Sequence, residues 1–337
     1  MTVLAADSPG AIEHAAERLA AGGLVAFPTE TVYGLGARAD DDAAVARIFA
    51  AKGRPADHPL IVHVASVESA LHFAPQPGAA ARALMAAFWP GPLTLIVPRH
   101  AARAAAAAGG QPSVGLRMPS HPVALALLRA CAARGVAGVA APSANRFGRV
   151  SPTTAAHVAA EFGPDLLVLD GGACAVGIES AIVDCTRAPP AGPALLRPGQ
   201  LGRARIEAVL GVPLAAPAAD APRASGTLEA HYAPRAPVRL FARAELAERV
   251  AAPPASAHAW VAVYSRLVPA AGWRHRRMPD DAAAAARELF AVLRAFDDQG
   301  AAAIWVEQPP AQPAWEGVQD RLRRAAAAAP AAGCGEP

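Results

Sequence analysis

The pattern of apolar and polar residues over the first part of the chain predicts short strands and helices in close succession. Val45, Ile48 and Phe49 repeat at helical spacing, which predicts a helix from about residue 41 to 53. Further helices are predicted over 9–21, 66–73, 79–88, 121–134, 153–162 and 203–210. Short apolar runs predict strands over 24–27, 60–64, 93–98, 113–119, 138–143, 166–170, 180–186 and 194–198. Many strands joined by short returns indicate a twisted mixed sheet with helices around a concave pocket.

The pattern changes after residue 211. Residues 212–237 are rich in Pro and Ala and have no apolar period, which predicts an extended, semi-rigid linker. Strands at 238–242, 260–265 and 303–307 then alternate with helices at 243–251, 280–298 and 315–328. This alternation indicates a smaller, Rossmann-like parallel α/β domain. We therefore expect one domain over 1–211, the linker over 212–237, a second domain over 238–329 and a disordered tail over 330–337.

Composition limits the class of protein without identifying it. The chain has 337 residues, of which 53% are hydrophobic and only 5% aromatic, so it can build a full, mainly aliphatic core. A net charge of +3 suits a small anionic substrate as well as RNA. The four cysteines form no CxxC pair and predict free thiols in a reducing compartment. With no signal-peptide pattern and no long apolar run, we expect a soluble, cytoplasmic protein.

Several common site motifs are absent from the sequence. It contains no GxxxxGK[ST], no HExxH and no GxSxG. Gly34, Gly36 and Ala39 match GxGxxA by letter, but PTETVY separates them from the preceding strand and no suitable acidic residue follows at the ribose distance. We therefore interpret these glycines as turn formers rather than as part of a dinucleotide site.

Polar clusters at the predicted strand ends carry more cations than carboxylates. The cations are Lys52, Arg54, Arg117 and Arg197, and the carboxylates are Glu30 and Glu179. Such a pocket suits a polyanion such as a nucleoside triphosphate, together with a second small anion. Lys52 is the only lysine and Asn145 the only asparagine, which favours a specific role for both. A solvated helix end, favoured by the helix dipole, remains the alternative for Lys52 and Arg54.

Seven motifs in order carry a resemblance to a known family. They are PTETVYGLG, KGRPxxHPLxxHV, FWPGPLT, GLRMP, APSANxxGxxSPT, GIESxIVD and LLRPG, within residues 10–210. This series resembles the YrdC-type threonylcarbamoyl-AMP synthase family. A linker ending in HYAP and a following α/β domain are similar to the long, two-domain form.

The resemblance implies a reaction and its partners. L-threonine, bicarbonate or CO₂, and ATP would give threonylcarbamoyl-AMP and pyrophosphate, with Mg²⁺ held through the ATP phosphates rather than by protein ligands. A downstream tRNA threonylcarbamoyl transferase would move the product group to an adenosine beside the anticodon. The enzyme would need neither a membrane nor direct contact with tRNA.

The resemblance also implies roles for individual residues. The catalytic signature falls on Lys52, Arg54, Ser143 and Asn145. ATP contacts fall on Arg54, His58, Ser113, Ser143, Ser151, Arg197, His231 and Tyr232, and the linker becomes a lid over the nucleotide. Threonine contacts fall on Thr31, His63, Arg117, Ser180 and the backbone of Ala141. Many relatives carry Asn at the position of His58, which leaves its ATP contact open.

Simpler interpretations stay open for several of these residues. His63 could be a satisfied core histidine, Ser180 could cap the start of a strand, and His231 and Tyr232 could be ordinary linker residues. Asn145 could face phosphate or brace its loop. For the whole chain, the alternatives are a double-stranded RNA-binding or ribosome-assembly module and a carbamoyl-group transferase with a similar domain. The scarce aromatics disfavour the first, and the missing CxxC pairs disfavour the second.

Overall fold

The structure is a computed structural model that describes residues 2–187, 191–254 and 260–328. Its chain divides into two compact units, Met1–Phe147 with Ser151–Thr227, and Gly148–Val150 with Leu228–Pro337. We call them unit 1 and unit 2. The predicted linker is shared between them, and its boundaries stay a prediction. The predicted tail over 330–337, including Cys334, lies outside the described residues.

Unit 1 contains one large mixed sheet. Its strands are β1 Thr2–Ala5, β2 Val25–Phe27, β3 Gly34–Arg38, β4 Ile61–His63, β5 Leu93–Pro98, β6 Ser113–Arg117, β7 Val139–Ala140, β8 Leu167–Asp170, β9 Ala181–Asp184 and β10 Ala194–Arg197. In space they follow the order β1-β8-β2-β3-β7-β4-β6-β5-β9-β10. The pairs β4–β6 and β5–β9 are parallel, whereas β3–β7 and β5–β6 are antiparallel. The predicted mixed sheet is therefore confirmed.

Helices pack against the sheet and, with it, form two apolar clusters. The helices are α1 Ala11–Ala20, α2 Asp42–Lys52, α3 Val67–Phe73, α4 Ala79–Phe88, α5 Pro122–Ala132, α6 Ala155–Ala159 and α7 Arg203–Leu210. One apolar cluster joins Leu19 of α1 to Leu127 of α5, and another contains Ile48 of α2 and Leu84 of α4. As the composition predicted, aliphatic side chains dominate both clusters.

Sequence reasoning missed β3, and the reason lies in its two glycines. We interpreted Gly34 and Gly36 as turn formers, but both lie within this strand. A Cβ at position 36 would sit 2.8 Å from Val139 Cγ1 and 2.9 Å from Phe27 Cε1. Glycine is therefore present because neighbouring side chains approach the strand closely, and the turn interpretation was wrong.

Unit 2 is a parallel α/β layer, as predicted. Its strands are β11 Val238–Phe241, β12 Val261–Ser265, β13 Arg274–Arg277 and β14 Ala303–Glu307. They follow the order β11-β14-β12-β13, with every pair parallel. Its helices are α8 Arg243–Arg249, α9 Ala282–Asp298 and α10 Glu316–Ala327, with a short 3₁₀ turn at Pro313–Trp315. The strand β13, RHRR, was missed because a run of charged residues has no apolar signal.

Two expectations from composition concern the chain as a whole. Cys131, Cys174 and Cys185, the cysteines that the structure describes, are free thiols. No helix in the described ranges combines the length and apolar character needed to cross a membrane.

Candidate active site

The helix α2 delivers Lys52 to the loop that follows β7. The helix begins at Asp41, whose side chain accepts the Ala44 N–H at 3.0 Å, and ends at Gly53 in the left-handed region. Lys52 is only 3% exposed, and its Nζ donates to the backbone oxygen of Ser143 at 2.6 Å and to that of Asn145. The solvated helix end, our alternative for Lys52, is therefore wrong. Lys52 fastens the catalytic-signature loop to α2.

Burial perturbs the Lys52 ammonium. Desolvation, and secondly the charge of Arg54, hold its pKa well below the ordinary value of 10.5. An ammonium group has three N–H donors, and two of them go to the carbonyls of the loop. The third N–H of Lys52 can donate to a further acceptor, such as an anionic ligand.

Asn145 stabilises the same loop from within. Its Nδ2 donates to the backbone oxygen of Arg146 at 2.7 Å, and the Phe147 N–H donates to the backbone oxygen of Lys52 at 2.9 Å. Of our two interpretations for Asn145, bracing the loop describes this contact. The neighbouring Ser143 forms an isolated antiparallel bridge with Gly34, which ties the loop to β3.

Arg54 and His58 both contact the ring of Phe147. The Arg54 guanidinium lies 5.5 Å from the centre of the Phe147 ring and donates to the backbone oxygen of Pro59 at 3.1 Å. The His58 ring packs edge-on against Phe147 at 5.4 Å. Burial and the charge of Arg54 lower the pKa of His58, so both groups belong to one electrostatic neighbourhood with Lys52.

A second cluster surrounds Arg117 at the end of β6. Its guanidinium pairs with Glu30 Oε1 at 2.7 Å and donates to Thr31 Oγ1 at 2.9 Å, and all three residues are buried. The pKa of Glu30 is lowered because the charge and hydrogen bond of Arg117 outweigh the burial that would raise it. Sequence reasoning counted Glu30 among the carboxylates but gave it no role. The structure makes it the counter-charge of Arg117.

His63 lies beside this cluster. It ends β4 and pairs in register with Arg117 on the parallel neighbour β6, while its ring packs edge-on to Phe27 at 6.2 Å. Burial, and secondly the Arg117 charge, lower its pKa to about 3. His63 is thus neutral near pH 7. Its buried Nδ1 has no hydrogen-bond partner among the described residues, which disagrees with a satisfied core histidine, and the site role stays a prediction. On the other side of β4, the Ala141 N–H donates to the backbone oxygen of Ile61 at 2.9 Å.

Ser180 and Arg197 form a third cluster at the start of β9. The Arg197 Nε donates to the Ser180 backbone oxygen at 3.0 Å, and its Nη2 donates to Ser180 Oγ at 3.2 Å. Ser180 Oγ also lies 2.8 Å from Thr94 Oγ1. Ser180 is therefore more than a cap at the start of a strand. Thr94, which sequence reasoning missed, belongs to the same network, and its place in FWPGPLT was the available signal.

Ser113 and Ser151 lie at two further edges of the site. Ser113 lines a cavity of about 10 Å³, closed by residues 223–225, which is room for roughly one water molecule. The Arg223 side chain holds this segment through Asp57 Oδ2 at 2.7 Å. Ser151 Oγ donates to Glu179 Oε1 at 2.5 Å. Residues 223–225 thus leave only a small cavity beside Ser113.

His231 and Tyr232 lie in unit 2. Both are buried, and the Tyr232 ring stacks on Phe290 at 5.5 Å while the Arg321 guanidinium lies 5.4 Å from its centre. These packing contacts go beyond our alternative of ordinary linker residues. Their predicted contact with ATP stays a prediction. Over the described part of the chain, no group of three or more His, Cys, Asp or Glu side chains is placed to hold a metal ion.

Two protein-family models match this chain. The model Sua5_yciO_yrdC, described as telomere recombination, matches residues 17–199. The chain belongs to the Sua5/YciO/YrdC family. A second model, the C-terminal domain of threonylcarbamoyl-AMP synthase, matches residues 201–327. This pair of matches confirms the long, two-domain form of the family.

Named relatives agree with this assignment. The threonylcarbamoyl-AMP synthase of Pyrococcus abyssi is 46% identical over 233 residues, which are 67% of this chain and 66% of that protein. The Bacillus subtilis enzyme of the same name is 42% identical over 236 residues, or 68% of this chain and 66% of that protein. The aligned regions thus span just under two thirds of these relatives.

Solved structures of this family extend the likeness over almost the whole chain. A P. abyssi Sua5 complexed with L-threonine matches with a TM-score of 0.84 and 38% identity, over 94% of both chains. A variant of the same protein, with an adjacent histidine and tyrosine changed to alanine, matches with a TM-score of 0.87 and 37% identity over 97% of both chains.

Proposed function

We propose that this protein is a threonylcarbamoyl-AMP synthase, which converts L-threonine, bicarbonate or CO₂, and ATP into threonylcarbamoyl-AMP and pyrophosphate. The observation that carries the proposal is the match over 94% of the chain to a Sua5 complexed with L-threonine. The arrangement of buried cations and hydroxyls in unit 1 supports it.

The threonine half of the site is the Arg117 cluster. Arg117 donates to Thr31 and to the Gly91 carbonyl and is ion-paired with Glu30, and a guanidinium has five N–H donors, so donors remain for a substrate carboxylate. The hydroxyls of Thr31 and Ser180 recognise the substrate hydroxyl in this proposal. His63 and the Ala141 backbone complete this half.

The ATP half of the site is built from Lys52, Arg54 and Arg197. They carry the phosphates, with hydroxyls of Ser113, Ser143 and Ser151 and with His58 beside them. Mg²⁺ enters as part of the substrate MgATP, held by the phosphates. The lid that we expect over the nucleotide includes residues 223–225, which line the small cavity beside Ser113.

The chemistry requires positioning more than proton transfer. The threonine nitrogen bonds to the carbon of CO₂ and loses a proton, giving a carbamate. A carbamate oxygen then attacks the α-phosphorus, the bond to the bridging oxygen breaks, and pyrophosphate leaves with the electron pair. Fixed cations such as Lys52 stabilise the charge that develops on the phosphates. The product then serves a tRNA threonylcarbamoyl transferase in the cytoplasm.

Pyrophosphate release tests this function. Purified protein is incubated with ATP and Mg²⁺, with threonine and bicarbonate added or omitted one at a time. We expect release that needs both and that collapses in Lys52→Ala, while Arg82→Gln, an exposed arginine on α4, keeps the wild-type rate. No release from the folded protein under any combination would overturn the proposal. Salt-sensitive RNA binding in its place would favour the RNA-binding alternative.

A further inference from the structure

Unit 1 contains a second polar cleft that the proposed reaction does not use. We call it the arginine cleft. It has a volume of about 390 Å³, within the range of small-molecule sites. Its lining includes three arginines and an apolar floor, namely Arg18, Arg47, Arg146, Leu24, Leu35 and Phe162.

Neutral backbone carbonyls hold the three guanidinium groups in place. Arg18 donates to the oxygens of Leu24 at 3.0 Å and Asp165 at 2.7 Å, and Arg47 donates to that of Gly22 at 2.8 Å. Arg146 donates to the oxygens of Ala51 at 3.0 Å and Glu161 at 3.3 Å. The three arginines are exposed, and these contacts orient their side chains without cancelling their charge.

Three carboxylates lie near the arginines, and one of them, Asp41, comes close to Gly22 together with the Arg47 guanidinium. Asp165 lines it, and Glu161 accepts the backbone N–H of Arg146 at 3.1 Å. Among the described residues, however, neither Arg18, Arg47 nor Arg146 has a carboxylate oxygen within ion-pair distance. Each guanidinium also retains N–H donors beyond those used on carbonyls.

The floor adds a surface for a flat ring. Leu24 and Phe162 are partly exposed there above the buried Leu35, and the Arg146 guanidinium lies over the Phe162 ring, 5.7 Å from its centre. Arginine forks match phosphate geometry, and an aromatic ring beside an arginine favours a stacked base. We propose that the arginine cleft is a binding site for a nucleoside monophosphate, with the phosphate on the arginines and the base on the apolar floor.

The arginine cleft adjoins the loop of residues 141–148, which carries Ser143 and Asn145 and which we call the catalytic loop. Arg146 follows Asn145, whose backbone oxygen binds Lys52, and Arg146 itself binds the carbonyl of Ala51, the residue before Lys52. An occupant that contacts Arg146 therefore acts on the same two segments that position Lys52. If the proposed function holds, transfer of the threonylcarbamoyl group releases AMP, so AMP is the nucleotide we choose as the probe.

Direct binding measurements test this site without relying on catalysis. We expect AMP to bind the full-length protein with a dissociation constant below about 1 mM by calorimetry, and adenosine to bind at least about tenfold more weakly. Binding persists when a non-hydrolysable ATP analogue saturates the proposed active site, and in Arg197→Gln. Bound AMP also slows hydrogen exchange in the catalytic loop, residues 141–148.

Matched variants identify the location. Arg47→Gln, which loses one hydrogen bond to a backbone carbonyl, weakens AMP binding about tenfold or more, and Arg146→Gln does the same. Arg82→Gln leaves it unchanged, and thermal unfolding checks that every variant is folded. The proposal is overturned if AMP does not bind, if adenosine binds as well, if the ATP analogue displaces AMP, or if Arg47→Gln binds like wild type. None of these results depends on pyrophosphate release.

Discussion

Replacing Glu30 by glutamine leaves the Arg117 guanidinium buried without its counter-charge. The two side chains are 8% and 4% exposed and approach to 2.7 Å, so water does little to replace the lost carboxylate. Removing one partner of a buried ion pair costs about 3–5 kcal/mol of unfolding free energy. Glutamine keeps an acceptor oxygen, so we expect the lower end, about 3 kcal/mol, and a fall in Tm of roughly 6–12 °C.

The loss of stability in Glu30→Gln depends on pH, and the pKa of Glu30 sets the direction of this dependence. Burial would raise this pKa, but the Arg117 charge and hydrogen bond lower it below 4.5 overall. The stability contributed by the carboxylate is therefore fully present above pH 4.5 and is lost as pH falls through the folded-state pKa. The gap between wild type and Glu30→Gln should be largest near neutral pH and should close in acid.

Scanning calorimetry of the full chain at several pH values measures this gap. Asp40→Asn is the matched control, because it removes an ion pair with Arg38 that is 26–28% exposed at 3.0 Å. That pair should contribute less than about 1 kcal/mol. The reasoning fails if Glu30→Gln loses no more stability than Asp40→Asn, or if its loss is as large in acid as at neutral pH.

Three further predictions concern the proposed reaction. Lys52→Met keeps the length of the side chain but removes the ammonium, and should lower pyrophosphate release at least about 100-fold in a protein that still folds by circular dichroism. Valine should be about 10⁴-fold worse than threonine in kcat/KM, because the polar groups that bind the threonine hydroxyl would have no partner in valine. Comparable turnover of the two amino acids would contradict the Thr31 and Ser180 assignments. With its pKa at about 3, His63 stays neutral near pH 7, so His63→Gln should leave the shape of the pH–rate profile unchanged between about pH 5.5 and 8; loss of a step near pH 6.5 would contradict this.

Periodicity predicted the helices and the parallel sheet of unit 2 because both signals are local. The helix α2 carries its own cap and its own glycine stop, so its ends could be found from neighbouring residues. The strand β3 could not be found in this way. Its Gly36 is required by the close approach of Phe27 and Val139, and Val139 is distant in sequence. Close approach between distant segments leaves no periodic trace.

The same limit applies to the candidate site. The period-two spacing of β6 predicted that Arg117 lies at a strand end. It did not predict which loop contacts Arg117 there. Thr31 and Arg117, hydrogen-bonded at 2.9 Å, are separated by 86 positions. Counting charges therefore found the cations of the site, whereas the pairing of Arg117 with Glu30 and of Arg197 with Ser180 required the fold.

The lone lysine has a geometric explanation in this fold. A tetrahedral ammonium can direct two N–H groups at the carbonyls of Ser143 and Asn145 and a third elsewhere, whereas a planar guanidinium spreads its five donors over a wider fork. Both partners are neutral, so burial lowers the Lys52 pKa and the charge is held at a cost. A phosphate brought to the third donor would offset that cost. Arg117 already has a carboxylate, so the two halves of the proposed site differ: under the proposed function the Lys52 half would gain its anion from the substrate, whereas the Arg117 half contains Glu30.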